Sequence, residues 1–115
     1  MSYRKPRKHG YYAENARHSI RILRESKNLT LREVASRIAE AGHPLSKDAL
    51  SQIETGFRNA SLEDAIFIAH VLDVSIETLI DPELRKIQLV EIEERAQAEM
   101  DRLRRLAPLG LGVAA

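Results

Sequence analysis

The chain has 115 residues, a formal net charge of +1 and no cysteine, which fits one small domain, or one domain with an appendage, and excludes both a disulfide framework and a thiolate metal site. Its first residues contain no apolar signal-peptide core, and no apolar run reaches the ~18 residues of a membrane span. We therefore expect a soluble, cytoplasmic protein with no membrane partner.

Charge is distributed unevenly along this nearly neutral chain. Residues 10–58 contain eight bases and six acids, whereas residues 59–81 contain five acids and no base. Residues 1–9 contain four bases and no acid, namely Arg4, Lys5, Arg7 and Lys8. A basic end and an acidic end favour one molecular face that suits a polyanion.

The first predicted helix follows a short basic segment. Residues 1–10 contain Pro6 and Gly10 and no apolar period, so we expect a flexible arm. From Tyr12 to Lys27 the apolar residues recur at helical spacing, which predicts a helix. Its apolar face comprises Ala16, Ile20 and Leu23.

The second predicted helix begins with a capping box. Thr30 is followed three residues later by Glu33, a pair that satisfies backbone N–H groups left free at a helix start. The segment 42–44, Gly-His-Pro, ends the helix. Its apolar residues are Val34, Ala35, Ile38 and Ala39.

A short third helix is predicted between Ser46, an N-cap residue, and Gly56, which suits a left-handed C-cap. Leu50 and Ile53 recur at helical spacing and are expected to face the core. Polar residues that a core does not need occupy the other positions, namely Lys47, Asp48, Ser51 and Gln52. The third helix is therefore predicted to present a polar outer face.

Two further capped helices follow. Ser61 precedes a fourth helix, with Asp64 three residues later, and Ser75 precedes a fifth, which Pro82 ends. No segment favours a strand, so the predicted fold class is all-α, with a five-helix domain at residues 11–82. The fourth helix is expected to bury Leu62, Ile66, Ala69 and Leu72, and the fifth contributes Ile76, Leu79 and Ile80.

Residues 83–107 are predicted to form one long helix. The segment 83–106 lacks Gly and Pro and is rich in helix formers, and it would span about 36 Å. Its heptad-like spacing predicts dimerisation, and the alternative is a helix that packs back on its own domain. The expected dimerisation positions are Leu89, Ile92, Ala96, Met100, Leu103 and Leu106. Residues 108–115 are expected to be disordered.

Two short helices joined by a turn, the second with a polar outer face, are typical of a helix-turn-helix. An α-helix fits the DNA major groove, where each base pair shows a distinct set of donors, acceptors and methyl groups. Gln52 suits a bidentate pair with adenine, and Asp48 can accept a hydrogen bond from cytosine N4. The polar face is therefore predicted to contact bases.

From about Ile20 to Ile80 the chain resembles the lambda repressor/Cro-like family of helix-turn-helix proteins, also called the XRE family. The matching segments are IRILRESKNLTLREVA and LSKDALSQIETGFRNASLEDAIFIAHVLDVSIETLI, in that order, over half of the chain. The resemblance implies a lambda repressor-like, sequence-specific transcriptional regulator, a repressor, that binds double-stranded DNA. It also implies a homodimer on a pseudo-palindromic operator.

The resemblance implies a role for each matching position. In the recognition helix 46–55, the residues implied to contact bases are Lys47, Asp48, Ser51 and Gln52. The residues implied to contact phosphates are Thr30, Arg32, Phe57, Arg58 and Asn59. Arg24 and Glu54 match a structural ion pair. The basic arm is expected to follow phosphates or a groove, as arms of other DNA-binding proteins do, or to serve as a solubilising tail.

Two features depart from the family pattern. Leu31 occupies a position where the family commonly has Gln, so that contact must be absent or made by Arg32. The turn between the second and third helices is about five residues longer than usual, with AEAGHP inserted. The longer turn leaves the docking angle of the recognition helix open.

Other interpretations lead to different expectations. An antitoxin or adaptor would use the helix at 83–107 to grip a protein partner. Residues 83–115 are too short and too poor in reactive side chains to hold an active site, so no enzyme activity is expected.

Phe57 is expected to cap the edge of the core rather than to intercalate. No metal or cofactor is expected, because the histidines share no ligand spacing; they are His9, His18, His43 and His70.

Overall fold

The computed structural model describes residues 10–107, which form six helices and no strand. The predicted all-α class is confirmed. Residues 1–9 of the predicted basic arm and the predicted tail at 108–115 lie outside the described residues. The helices are α1 (Tyr11–Ser26), α2 (Leu31–Glu40), α3 (Lys47–Thr55), α4 (Leu62–Val71), α5 (Ile76–Ile80) and α6 (Pro82–Leu106).

Side-chain caps begin helices α2 to α6, and the local sequence predicts those at Thr30, Ser46, Ser61 and Ser75. The Thr30 hydroxyl accepts a hydrogen bond from the Glu33 N–H at 3.0 Å, and the Glu33 carboxylate accepts one from the Thr30 N–H at 3.0 Å. Ser46 accepts from the backbone N–H of Ala49 at 3.1 Å. Gly56 ends α3 with a φ of 86°, a left-handed conformation that side chains with a Cβ disfavour.

One apolar cluster joins the first five helices. Its members bury more than nine-tenths of their surface, and partly buried residues of α6 pack against it. Leu50 and Ile53 belong to this cluster, as predicted, so the inner face of α3 is held against the rest of the domain. The cluster comprises Ile20, Leu23, Val34, Ile38, Leu45, Ala49, Leu50, Ile53, Ile68, Ala69, Leu72 and Leu79.

The prediction that α4 buries Leu62 and Ile66 is wrong. Leu62 is 72% exposed and Ile66 is 48% exposed, whereas Ile68 is fully buried. The cause is the polar start of the helix, where the Asp64 carboxylate faces inward toward His43 and is only 5% exposed. Because 3.6 residues make one turn, inward placement of Asp64 rotates Leu62 and Ile66 toward solvent. Leu62 instead lines an apolar groove of about 430 Å³ with Tyr12.

An ion pair joins α1 to the C-terminal end of α3. The Arg24 guanidinium donates to both carboxylate oxygens of Glu54, at 2.7 and 3.0 Å, and to the carbonyl oxygen of Leu29 at 2.8 Å. The Glu54 side chain is only 5% exposed. The hydrogen bond to Glu54 outweighs burial and raises the pKa of Arg24. One guanidinium therefore connects α1, α3 and the segment that leads into α2.

The first part of α6 packs within the protomer. Arg85 donates to the buried hydroxyl of Ser19 at 3.1 Å. Leu89 and Ile92, two of the predicted dimerisation residues, are half-buried against the core cluster. Farther along the helix, Met100 is 54% exposed. The domain core thus covers two of the six predicted dimerisation residues and leaves Met100 accessible.

We expect Glu54→Ala to lower the free energy of unfolding by about 3 kcal/mol, because it leaves the Arg24 guanidinium poorly solvated and without its bidentate partner. Urea titration followed by circular dichroism measures this change. Glu25→Ala is the matched control, since Glu25 forms an exposed pair with Arg21 at 3.5 Å, worth about 0.5 kcal/mol. Equal losses of unfolding free energy in the two variants would contradict the larger contribution that we assign to the Arg24–Glu54 pair.

Candidate nucleic-acid interface

The two faces of α3 differ in chemistry. Its buried residues are Ala49, Leu50, Ile53 and Glu54. On the other side Lys47, Asp48 and Gln52 are exposed and Ser51 is half-buried. The local sequence produces this division, because the Ser46 cap starts the helix and the buried apolar residues Ala49, Leu50 and Ile53 fix its rotation. All four predicted base-contacting residues therefore share the outward side of one short helix.

A cleft of about 520 Å³ lies between α2 and the start of α3. Arg32 lines it from α2, and Lys47 and Asp48 line it from α3. The cleft thus brings a predicted phosphate contact beside two predicted base contacts. Ser36 also lines the cleft and was not anticipated, although its position one helical turn after Arg32 is the signal that could have identified it.

The loop after α3 folds back toward the helix. The backbone N–H groups of Phe57 and Arg58 both donate to the carbonyl oxygen of Gln52, at 2.9 and 3.2 Å. Arg58 and Asn59 are exposed. Phe57 is 74% exposed, so the expectation that it caps the core edge is wrong. The left-handed Gly56 redirects the chain, and the aromatic ring that follows points away from the core.

The N-terminal end of α2 supplies the remaining predicted contact, Thr30. Its hydroxyl oxygen already accepts from the Glu33 N–H, and its single O–H proton is shared with the Glu33 carboxylate, so a phosphate would compete with Glu33 for that proton. Hydrogen bonds from the backbone and side chain of Thr30 lower the pKa of the exposed Glu33 carboxyl. The positive end of the α2 dipole adds to the attraction for an anion.

The inserted turn between α2 and α3 contains a buried histidine that no local sequence pattern singles out. His43 is 9% exposed. Its Nε2 lies 2.6 Å from Asp64 Oδ1, and its ring stacks on Phe67 with centroids 4.6 Å apart and planes at 6°. An ionised carboxylate only accepts hydrogen bonds, so Nε2 carries the proton and donates it. No local period could reveal a pairing across 21 residues.

Asp64 accepts hydrogen bonds at both carboxylate oxygens. Oδ1 accepts from His43, and Oδ2 accepts from the Ser61 N–H at 2.9 Å. Burial raises the pKa of the carboxyl, but the hydrogen bonds from His43 and Ser61 outweigh burial, and the pKa lies below its usual value. Asp64 is therefore held as a carboxylate inside the domain.

Two other classes of function, metal binding and membrane insertion, require side-chain arrangements that can be recognised among residues 10–107. Within this range no group of three or more His, Asp or Glu side chains is arranged to hold a metal ion. None of the helices in this range combines the length and the apolar composition that a membrane span requires. The polar face of α3, the adjoining cleft and the loop at 57–59 form the candidate interface.

A buried helix pair that exposes one polar helix face defines the helix-turn-helix class. A helix-turn-helix family model matches residues 20–79, which is just over half of the chain. The chain belongs to this family, and to its XRE type, as the resemblance implies. Membership of the family supports DNA binding by this chain.

A relative from Methanothermobacter thermautotrophicus, strain Delta H, is 28% identical to the chain over 104 residues. Its provisional name is HTH-type transcriptional regulatory protein. The aligned region covers 90% of this chain but only 30% of that relative, so the chain spans less than a third of the relative's length. No solved structure matches the chain significantly.

The lowered pKa of Asp64 predicts a specific pH dependence of stability. Because the pKa is lower in the folded than in the unfolded state, the carboxylate stabilises the fold above about pH 4, and this contribution is lost as the pH falls through the folded pKa. Asp64→Asn should therefore lower the thermal midpoint at pH 7, and the difference from wild type should shrink as the pH falls through the folded pKa of Asp64.

Thermal unfolding of both chains across this pH range measures the effect. Asp73→Asn is the control, because Asp73 is exposed and has a φ of 57°, a conformation that Asn also accepts. A pH-independent difference in thermal midpoint between wild type and Asp64→Asn would contradict the assignment of a lowered pKa to Asp64.

Proposed function

We propose that the chain is a sequence-specific, DNA-binding transcriptional regulator, a repressor, that binds a pseudo-palindromic operator as a homodimer. The observation that supports this most directly is the exposed polar side of α3 beside Arg32, on a helix whose other side is fully packed. Such a helix can enter a major groove without disturbing the domain that holds it. The proposal is consistent with the cytoplasmic location expected from the sequence.

Base contacts in this proposal come from the outer side of α3. Gln52 offers a donor and an acceptor to adenine, and Lys47 donates to guanine. Asp48 accepts from cytosine N4, where the neighbouring Lys47 and Arg32 offset its repulsion from phosphates. Ser51 is half-buried, so it reaches a base only when the helix lies deep in the groove.

Phosphate contacts surround α3 on two sides. Arg32 and Thr30 approach one strand from α2, and Arg58 and Asn59 approach from the loop that follows α3. The aromatic ring of Phe57 packs beside the sugar-phosphate backbone in this arrangement. Contacts of this kind position the protein and make its affinity fall with salt. The basic arm adds further phosphate contacts through Arg4, Lys5, Arg7 and Lys8.

Dimerisation in this proposal uses the distal part of α6. Leu89 and Ile92 already pack against the core of their own protomer, so the contact between protomers depends on Ala96, Met100, Leu103 and Leu106. Two copies joined there would place two α3 helices in successive major grooves, about 34 Å apart. Repression then requires only that the dimer occupies its operator.

Replacing Gln52 tests the base contacts. We expect Gln52→Ala to weaken binding to a duplex selected from a random pool by about 1–3 kcal/mol, because a bidentate base contact is lost. Binding to a scrambled duplex should stay nearly unchanged. Fluorescence anisotropy with both duplexes at one fixed salt concentration measures the two affinities.

Two matched variants complete that experiment. Arg32→Ala should weaken binding to both duplexes and reduce the slope of log K against log salt by about 1. Gln97→Ala should change neither affinity, since Gln97 lies exposed on α6 and pairs with Asp101. Wild-type affinity of Gln52→Ala for the selected duplex would contradict the assigned base-contacting face.

Replacing Leu103 tests dimerisation without removing the proximal part of α6. Light scattering should give the full chain a mass of about 26 kDa, twice the 13.0 kDa of one protomer. Leu103→Glu should halve that mass, because a charge in the apolar contact is strongly disfavoured. Glu91→Lys, at an exposed position away from the distal apolar face, is the control and should remain dimeric.

A monomeric wild-type chain would contradict the homodimer. In that case α6 would be available to a different protein, as an antitoxin or adaptor requires. A stoichiometric partner that co-purifies with wild type but not with Leu103→Glu would then support that function.

A further inference from the structure

The inserted turn that precedes α3 is fixed at a single buried side chain. His43 precedes Pro44, which restricts the backbone before it to an extended conformation. Its backbone N–H donates to the carbonyl oxygen of Ile38 at 3.1 Å, which closes the end of α2. Two residues later Leu45 is buried in the core. Only three residues separate His43 from Lys47, the first residue of α3.

The imidazole of His43 connects this turn to α4. One ring nitrogen donates to Asp64, and the ring stacks on Phe67, both in α4. Two carboxylates face the ring, because Glu63 Oε2 lies 4.0 Å from Nδ1 in addition to the contact with Asp64. The Glu63 side chain is 79% exposed, whereas the Asp64 side chain is 7% exposed. The buried contact with Asp64 therefore dominates the position of the turn.

The same carboxylate also fixes the loop on the other side of α3. Asp64 Oδ2 accepts from the Ser61 N–H, and the Ser61 hydroxyl accepts from the Asp64 N–H at 3.0 Å. Ser61 directly follows the segment 57–60 that contains the proposed phosphate contacts. A chain of hydrogen bonds from His43 through Asp64 to Ser61 thus joins the segment before α3 to the segment after it.

We propose that His43 is a positioning residue for DNA recognition, which through Asp64 sets the orientation of α3 relative to the loop at 57–59. This inference rests on the proposed DNA-binding function. The hydrogen bond between His43 and Asp64 takes the place of the short turn that other helix-turn-helix proteins use to fix the angle between their two helices. A loosened turn lets the N-terminal end of α3 tilt while Leu50 and Ile53 keep its inner face packed.

The test separates the hydrogen bond of His43 from its ring. His43→Phe keeps a ring against Phe67 but removes the hydrogen bond, and His43→Gln keeps a donor but removes the stacking. His70→Gln is the matched control, because His70 lies exposed on α4. Duplexes are selected from a random-sequence pool with the wild-type chain. Affinities are then measured for a selected and a scrambled duplex with each variant that circular dichroism shows to be folded.

We expect the preference of His43→Phe for the selected duplex to fall about tenfold, the equivalent of one good base contact, with scrambled-duplex affinity within about twofold of wild type. His43→Gln should recover most of the preference, and His70→Gln should equal wild type. Residual dipolar couplings of backbone amides should show a changed orientation of α3 relative to α4 in His43→Phe only. Wild-type preference in folded His43→Phe would overturn the inference.

A second variant applies if His43→Phe does not fold. Asp64→Asn has a single acceptor oxygen where the carboxylate has two, so it cannot accept from both His43 and Ser61 in the present geometry. The inference expects its preference to fall about tenfold as well, and wild-type preference in folded Asp64→Asn would overturn it. Failure of the wild-type chain to select any duplex would overturn the proposed function and this inference together.

Discussion

The rest of the structure depends on one constraint at α3. This short helix must keep a polar outer side while its inner side is held in place. Ala49, Leu50 and Ile53 supply apolar contact and fix the rotation of the nine-residue helix, but apolar contact alone leaves its tilt undetermined. The bidentate pair between Arg24 and Glu54 adds a directional constraint at its C-terminal end. Since a guanidinium and a carboxylate match in one plane, this contact specifies an angle as well as a distance. The residues on the outer side of α3 can then remain polar while the helix keeps a defined orientation.

The two ends of α3 are held by different chemistry. The Arg24 pair connects the C-terminal end to α1 and to Leu29, whereas the buried contact of His43 connects the preceding turn to α4. Both contacts join segments distant in sequence, and both are nearly excluded from solvent. In the proposed function this pair of contacts offsets the extra length of the turn, which by itself would leave the helix free to tilt.

The sequence was informative where the governing interaction is local. Thr30, Ser46 and Gly56 mark helix ends through bonds that span a few residues, and such bonds can be inferred from neighbouring letters. The burial pattern of α4 could not, because the inward placement of Asp64 depends on a partner 21 residues away. The outward ring of Phe57 likewise follows from backbone geometry at Gly56 rather than from its own hydrophobicity. The match of Arg24 with Glu54 came from family resemblance, since no spacing rule connects them.

The junction between the last two helices has a geometric consequence. Asp81 alone separates α5 from α6, and it caps α6 through the Glu83 N–H at 2.9 Å. With Arg85 held by Ser19, the long helix leaves the domain at a fixed angle instead of through a flexible linker. A dimer joined by α6 would therefore set the rotational phase between its two DNA-binding surfaces. Each base pair inserted between half-sites turns one of them by about 34°, so such a dimer would tolerate little variation in operator spacing.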